Sequence, residues 1–288
     1  MDRTTAYKLF ESMIEAVSSE IIVFTGKHRL ELKQKRDKTF VTECDKRLDM
    51  VSGNIAKKSG LAVVSEEREN DINILKSGNY IIIDAIDGTI GYIKHASSAD
   101  NVKNPRVNSK LGSEYDYCFL AAIILKGKPR FGCCYNYVTG EKILMDSSGA
   151  QHTLRSGKNL RLFKSPYAHY FENRTLDDVK TRKDLINKKL FEDSSLSRYN
   201  ICDIGFRALL AQLNPHKSAI TVHFSQPNGL WDIAPACVAA KFTGAKVLDG
   251  FGEEIKFTEY FLIPGWGLTV HTGDKFSWIE KELKKNKK

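Results

Sequence analysis

Residues 80–92, YIIIDAIDGTIGY, place two aspartates three residues apart at the end of an apolar run. The run predicts a buried strand over 79–84, because a short continuous apolar segment of this length is typical of such strands. Two interpretations of Asp84 and Asp87 are open. The strand could run into a tight Asp-Gly turn, or it could deliver carboxylates to a metal site at its carboxyl end. Features elsewhere in the chain have to decide between them.

The bulk composition indicates an ordinary soluble protein. With 288 residues, 42% of them hydrophobic, the chain can bury the core of one large domain or of two closely packed ones. No segment approaches the roughly 18 uninterrupted apolar residues of a membrane helix, and the N-terminus predicts an amphipathic helix rather than a signal peptide. The six cysteines form no CxxC pair. We therefore expect a cytoplasmic protein without a membrane partner.

The net charge of +9 has two interpretations, a nucleic-acid partner or a small anionic substrate such as a phosphate ester. The basic runs at 33–38 and 181–189 are interleaved with other residues, and a third run ends the chain. Such runs are typical of a solvated surface. We therefore expect a small phosphorylated substrate, and we do not expect nucleic acid as the main partner.

The first half of the chain mixes helical and strand patterns. Helices are predicted over 3–24 and 46–59 from apolar residues that recur every three to four positions. Apolar runs separated by turn residues predict strands over 61–67, 79–84, 117–125, 130–138 and 141–145. The last three, joined by short turns, predict an antiparallel meander. The polar segment 95–114, which follows the aspartate motif and precedes this meander, predicts a long loop or insertion whose role is open.

The second half alternates helices and strands differently. Helices are predicted over 175–192, 205–213, 231–244 and 274–285, and strands over 218–224, 245–249 and 267–273. The third helix is expected to start near Asp232, to tolerate Pro235 in its first turn and to stop at Gly244. A soft boundary near 150–160 divides the chain into halves, 1–155 and 156–288, which we expect to form one compact catalytic unit of mixed α and β structure.

Five acidic residues share one local pattern, in which an apolar or glycine-bearing stretch ends in a carboxylate. They are Asp45, Glu66, Asp84, Asp87 and Asp232. Each alone has an ordinary explanation, because aspartate often ends strands and caps helices. If the five converge, however, their like charges cannot all stay ionised without cations. Carboxylates in that number suit Mg²⁺ better than zinc, which prefers Cys or His.

The residues around the two aspartates could supply the rest of a catalytic site. Asp84 and Asp87 can reach one metal ion, and the carbonyl of Ile86 can face the same centre. Gly88 lets the backbone approach an anion, and amides that open a helix can hold phosphate. The hydroxyl of Thr89 can orient a metal-bound water. Metal ions there would polarise a phosphoryl group and lower the pKa of the water, which predicts a metal-assisted phosphomonoesterase.

Four motifs in order, VTECD, VVSEE, DAIDGT and WDIAPA, resemble those of the lithium-sensitive, Mg²⁺-dependent phosphatase superfamily. This superfamily includes inositol monophosphatase, fructose-1,6-bisphosphatase and the 3′(2′),5′-bisphosphate nucleotidases, which the chain resembles most. The resemblance runs from about residue 40 to about residue 250. It implies a fold of the α+β or α/β class, a layered α-β-α-β-α sandwich of the inositol monophosphatase type, with about two or three Mg²⁺ ions per site.

The resemblance also implies roles for individual residues. As metal ligands it implies Glu66, Asp84, Asp87, Asp232 and the carbonyl of Ile86. It implies that Asp45 and Thr89 orient the attacking water, as catalytic residues. The amides of Gly88 and Thr89 would bind the phosphate.

Departures from the family pattern concern the substrate. Ala85 stands where the family has proline, and Ile90 stands where the nucleotidases have lysine, although IGYIK is otherwise closer to their pattern than to that of the inositol enzymes. The segment 95–114 is additional. Arg207, within GFRALLA, could meet a second phosphate or could be a solvated helix arginine.

These observations predict a 3′(2′),5′-bisphosphate nucleotidase that hydrolyses 3′-phosphoadenosine 5′-phosphate to AMP and phosphate. Alternatives within the enzyme class are an inositol monophosphatase or a sugar bisphosphatase acting on fructose 1,6-bisphosphate. An alternative of another class is a basic, nucleic-acid-binding relative without catalysis. Both a monomer and a homodimer are compatible with the sequence.

Overall fold

The computed structural model describes residues 1–27, 32–34, 40–97, 117–153, 167–171, 197–199, 209, 212–213, 219–223, 229–264, 269–271 and 277–285. The predicted helix 175–192, most of the polar segment 95–114 and Arg207 lie outside the described residues. None of the helices in the described ranges combines the length and the hydrophobicity that a bilayer-spanning segment needs.

The described chain contains helices and strands in an interleaved order. The helices are α1 Arg3–Lys27, α2 Glu43–Lys57, α3 Ile72–Ser77, α4 Thr89–Ser97, α5 Leu230–Thr243 and α6 Ser277–Lys284. The strands are β1 Leu32–Gln34, β2 Phe40–Thr42, β3 Ala62–Ser65, β4 Tyr80–Asp87, β5 Cys118–Leu125, β6 Lys128–Asn136, β7 Lys142–Asp146, β8 Gly149–Thr153, β9 Tyr167–Phe171, β10 Ser197–Tyr199, β11 Ala219–His223, β12 Lys246–Leu248 and β13 Thr269–His271.

These strands form two large sheets and one small hairpin, β1-β2. The first sheet has six strands in the order β3-β4-β5-β6-β7-β8, with β3 parallel to β4 and every later neighbour antiparallel. The predicted meander is confirmed, and β8, which sequence patterning missed, extends it. The second sheet has five described strands in the order β10-β9-β11-β13-β12.

Strand β4 shows how the layers are sandwiched. Its residues are buried on both faces, which explains its continuous apolar run. Ile81 and Ile83 pack in one core with Phe10 of α1 and Leu48 of α2. Tyr80 and Ile82 pack on the opposite side, in a core that contains residues of α5 and β12.

Helix α5 is therefore the layer between the two sheets, and α6 contacts β12 through the ion pair between Lys246 and Glu280. This arrangement confirms the layered α-β-α-β-α sandwich.

Helix α5 begins one residue before the predicted range 231–244 and two residues before the expected start near Asp232. Its first residue is Leu230, so Pro235 lies in the second turn and not the first, and its ring nitrogen cannot donate a hydrogen bond to the carbonyl of Trp231. The predicted stop is confirmed, because Gly244 ends the helix in the left-handed conformation with φ 72°. The early start brings Asp232 into the first turn, as the third helical residue.

The described strands of the first sheet end at Thr153, and those of the second begin at Tyr167. Helix α5 belongs to the second half in sequence but covers the sheet of the first half. The division at 155 and 156 stays a prediction.

Candidate metal centre and active site

The end of strand β4 carries the first group of candidate residues. The strand was predicted to end at Asp84. It continues instead through a register shift to Asp87. Within the shift, Oδ1 of Asp84 accepts a hydrogen bond of 2.9 Å from the amide of Ile86. Gly88 then has φ 90°, a conformation that glycine adopts at little cost, and helix α4 starts at Thr89. The irregular strand end thus turns the chain directly into a helix N-terminus.

Three carboxylates from three different elements meet beside this strand end. Glu66 follows β3, Asp84 lies on β4, and Asp232 lies in the first turn of α5. One carboxylate oxygen of each lies within 4.8 Å of the others. The amide of Gly229 donates a hydrogen bond of 2.8 Å to Oδ2 of Asp232 and fixes that side chain at the helix start. Of the five carboxylates whose convergence the sequence pattern suggested, the fold thus brings these three together.

The electrostatics of this cluster fit a divalent cation. Burial, reinforced by the charges of Glu66, Asp87 and Asp232, raises the pKa of Asp84 well above its usual value. Burial together with Glu66 and Asp87 does the same to the pKa of Asp232. Ionised carboxylates that are buried close together repel one another, and a bound cation or proton compensates for that repulsion. Their hard oxygens match the donors that Mg²⁺ prefers.

A second contact joins α2 to the start of α4. The hydroxyl of Thr89 lies 3.2 Å from Oδ1 of Asp45 and 3.3 Å from the carbonyl of Ile86, so its single proton can go to either acceptor. The other oxygen of Asp45 accepts hydrogen bonds from the amide and the hydroxyl of Thr42, the N-cap residue of α2. Asp45 is buried, with one carboxylate oxygen bound by Thr42 and the other in contact with Thr89.

Sequence patterning missed a tyrosine that supports the strand end. The hydroxyl of Tyr137 donates a hydrogen bond of 2.8 Å to the carbonyl of Ala85, between Asp84 and Ile86. Its ring stacks on Tyr117 at 5.5 Å, and burial raises the pKa of Tyr137 well above its usual value, so the hydroxyl stays a donor. The sequence offered two tyrosines, Tyr135 and Tyr137, near the end of the predicted strand 130–138, but no pattern that relates either of them to Ala85.

The candidate residues thus fall into three groups by their placement. Glu66, Asp84 and Asp232 form the carboxylate cluster, and the charge of Asp87 acts on two of its members, Asp84 and Asp232. Asp45 and Thr89 are in contact next to it, with Gly88 at the turn. Arg207 lies outside the described residues. Ile90, on the first turn of α4, is 36% exposed.

A sequence model of the inositol monophosphatase family matches residues 2–284 of the chain. The chain belongs to this family. Because its members are Mg²⁺-dependent phosphatases, the protein is a metal-dependent phosphoric monoester hydrolase, as predicted. The alternative of a non-catalytic nucleic-acid-binding relative is therefore dropped.

Solved structures of inositol monophosphatase relatives share the fold. An IMPase/NADP phosphatase, solved with NADP and Ca²⁺, is 18% identical with a TM-score of 0.70, and the match covers 100% of this chain and 98% of that one. A staphylococcal inositol monophosphatase-1, solved as an inhibitory complex from a LiCl soak, is 18% identical with a TM-score of 0.69 and coverage of 100% and 97%.

CysQ from Bacteroides thetaiotaomicron, a bacterial member of the same family, is 16% identical with a TM-score of 0.64 and coverage of 94% and 98%. No protein with a curated description matches the chain in sequence. At these identities the solved structures bear on the fold of the phosphatase and not on its substrate.

Proposed function

We propose that the protein is a 3′(2′),5′-bisphosphate nucleotidase that hydrolyses 3′-phosphoadenosine 5′-phosphate to AMP and phosphate. The observation that carries the hydrolytic part is the contact between Thr89 and Asp45 beside the cluster of Glu66, Asp84 and Asp232. The net charge of +9 favours a multiply anionic substrate. The segment after Thr89 and the strands β5 and β6 resemble those of the nucleotidases.

The cluster supplies the ligands of the proposed Mg²⁺ site. The carboxylates of Glu66, Asp84, Asp87 and Asp232 and the carbonyl of Ile86 would hold about two or three ions. When bound, Mg²⁺ polarises phosphoryl oxygens and lowers the pKa of a coordinated water.

The protein's own groups then orient the reactants. If the hydroxyl of Thr89 donates its proton to Asp45, its lone pairs are left to accept a hydrogen bond from the attacking water. Asp45 is the proposed acceptor for the proton that is passed on. The amides of Gly88 and Thr89, at the start of α4, would bind the phosphate.

A second candidate substrate is inositol monophosphate. Ile90 is exposed on the first turn of α4. A second phosphate at that point would need a cationic side chain to bind it, and isoleucine does not supply one. A dual specific IMPase/NADP phosphatase bound with D-inositol-1-phosphate also shares the fold. The cytoplasmic location and the choice between a monomer and a homodimer stay predictions.

A substrate panel separates these candidates. The purified protein would be assayed with Mg²⁺ on 3′-phosphoadenosine 5′-phosphate, inositol 1-phosphate and fructose 1,6-bisphosphate, with phosphate release as the measurement. We expect the highest kcat/KM for the nucleotide and inhibition by millimolar Li⁺. A higher kcat/KM for inositol 1-phosphate would support the second candidate instead, and hydrolysis of none would refute both.

The metal assignment is tested by Asp87→Asn, which removes a ligand charge with almost no change in volume. We expect kcat/KM to fall by at least about 100-fold, because loss of a ligand costs more than loss of a supporting contact. Circular dichroism should show an unchanged fold. The matched control is Glu259→Gln, at a carboxylate exposed by 54% in its pair with Lys256. Substantial residual activity of Asp87→Asn would contradict the assignment.

A further inference from the structure

The turn that carries Glu66 is tied to helix α2 by one buried carboxylate. Nε of Arg68 donates a hydrogen bond of 2.7 Å to Oδ2 of Asp49, and Nη2 of Arg68 donates one of 2.8 Å to the Asp49 carbonyl. The hydroxyl of Ser65 donates to the other carboxylate oxygen, Oδ1. Asp49 therefore holds the residue just before Glu66 and the residue two positions after it.

The contacts of Asp49 are largely shielded from water. Its side chain is 7% exposed, and that of Arg68 is 21% exposed. Charge-assisted hydrogen bonds in such surroundings are stronger and more directional than exposed ion pairs. The hydroxyl of Ser65 also accepts a hydrogen bond of 3.2 Å from the amide of Glu67. The backbone on both sides of Glu66 is thus fixed relative to α2.

Gly53 makes room for this arrangement. A Cβ atom at position 53 would lie 1.9 Å from Nη2 of Arg68, so the guanidinium passes directly over the bare backbone of the helix. Glycine in the interior of a helix is otherwise unfavourable compared with alanine. Contact with the guanidinium explains why glycine is found here.

Helix α2 serves the two parts of the site from neighbouring turns. Asp45 and Asp49 are four residues apart and so lie on the same face of the helix. Asp45 contacts Thr89, and Asp49 holds the turn that carries Glu66.

We propose that Asp49 and Arg68 are positioning residues that hold Glu66 at the distance from Asp84 and Asp232 that Mg²⁺ binding requires. Gly53 is the third residue of this arrangement, because it leaves the space that the guanidinium of Arg68 occupies. The inference rests on the proposed role of Glu66 as a metal ligand.

Gly53→Ala is the sharpest test, because it displaces the guanidinium without changing any charge. Mg²⁺ affinity of the metal-free, full-length protein would be measured by calorimetric titration, together with kcat and the activation constant for Mg²⁺. We expect Mg²⁺ affinity to fall by about 10- to 100-fold, as for other groups that orient ligands. Thermal stability without Mg²⁺ should also fall, because Asp49 loses charge-assisted hydrogen bonds, and the preference of the helix for alanine offsets only part of that loss.

Two controls and two further variants accompany this test. Asn54→Ala changes the neighbouring exposed position of α2, and Arg47→Lys, also on α2, alters the pair that Arg47 makes with Glu20 of α1. Both should bind Mg²⁺ as the wild type does. Arg68→Lys keeps the charge but loses the paired donors, and it should reproduce the loss. In an Arg68→Ala background, Gly53→Ala should cause no further loss, because the group it displaces is already gone.

The outcomes distinguish this inference from the function on which it rests. Wild-type Mg²⁺ affinity in both Gly53→Ala and Arg68→Lys would overturn the positioning role. Glu66→Gln is measured in parallel. If Glu66→Gln also binds Mg²⁺ with wild-type affinity, the proposed metal site itself is wrong. A loss of thermal stability with unchanged Mg²⁺ affinity would show that the contacts serve only the fold.

Discussion

At the scale of single residues, the site depends on side chains whose orientations are restricted by their hydrogen-bond partners. The hydroxyl of Thr89 has one proton and two acceptors, the carboxylate of Asp45 and the carbonyl of Ile86. Asp45 is held in place by Thr42, so one of the two acceptors is fixed by a group outside the turn of Thr89. The proposed catalytic role of Thr89 therefore concerns its oxygen and not its methyl group.

Thr89→Val keeps the shape of the side chain and removes the hydroxyl. We expect kcat to fall by at least about 100-fold, since positioned proton-transfer groups contribute on that scale, while Mg²⁺ affinity stays near that of the wild type. Thr89→Ser, which retains the hydroxyl, should remain within about tenfold of the wild type. Steady-state kinetics at saturating Mg²⁺ measures kcat of both variants, and calorimetric titration measures their Mg²⁺ affinity. Equal activity of the valine and serine variants would rule out the hydroxyl.

Tyr137→Phe removes the donor to the Ala85 carbonyl. We expect the free energy of unfolding to fall by about 1–2 kcal/mol, because a buried carbonyl loses its partner, and Mg²⁺ affinity to weaken. Urea denaturation and calorimetric titration measure the two effects.

The matched control for Tyr137 is Tyr80→Phe. The Tyr80 hydroxyl donates a bond of 2.6 Å to the carbonyl of Phe257, on the face of the sheet that packs against α5. That variant should lose similar stability and keep its Mg²⁺ affinity. If the two variants behave alike in both assays, the hydrogen bond from Tyr137 to Ala85 does not contribute specifically to Mg²⁺ binding.

At the scale of elements, the site depends on how closely α5 approaches the first sheet. Gly132 on β6 faces the helix, and a Cβ there would lie 3.3 Å from both Pro235 and Val238. The helix brings Asp232 to the carboxylate cluster from its first turn. Element types in this region could be predicted from periodicity and end signals such as Gly244, but the helix start and the closeness of this contact could not, because both depend on packing between layers.

Gly132→Val places two methyl groups between the sheet and α5. We expect the free energy of unfolding to fall by about 1–3 kcal/mol through overpacking. Mg²⁺ affinity should also fall, because the helix that carries Asp232 is pushed outward. Gly132→Ala should show both effects in weaker form. Thermal unfolding and Mg²⁺ titration measure them, and a destabilised valine variant with normal Mg²⁺ affinity would separate α5 packing from the metal site.

At the scale of the whole molecule, the carboxylate cluster links stability to pH and to Mg²⁺. The pKa values of Asp84 and Asp232 are raised in the folded state, chiefly by burial and by their acidic neighbours. The folded protein therefore keeps protons that the unfolded chain releases above about pH 4. Stability of the metal-free protein falls as the pH rises from there through the raised pKa values.

We expect Mg²⁺ to raise the melting temperature of the wild type more at pH 8 than at pH 5, because its binding replaces protons that are present only at the lower pH. A chelator should reverse the effect. Asp84→Asn removes one of the repelling charges, so at neutral pH the metal-free variant should melt at a higher temperature than the metal-free wild type and respond less to Mg²⁺. Thermal scans across pH measure this, and an Mg²⁺ shift independent of pH would contradict it.

The sequence by itself determined the family, the kinds of donor groups in the candidate site and much of the first sheet. An apolar run that ends in Asp84 and Asp87, followed by Gly88 and Thr89, predicts a buried strand, a sharp turn and hard oxygen donors, because these properties depend on residues close together in the chain. Four such motifs in order sufficed for the correct family and fold class.

Only the tertiary structure decided which carboxylates meet and what holds them. Glu66 and Asp232 come from distant parts of the chain, and their approach to Asp84 follows from layers that pack on both faces of β4. The same is true of the Arg68 guanidinium over Gly53 and of the Tyr137 hydroxyl on the Ala85 carbonyl. Such contacts join residues that no local pattern relates, because burial and packing select them only when the whole core forms.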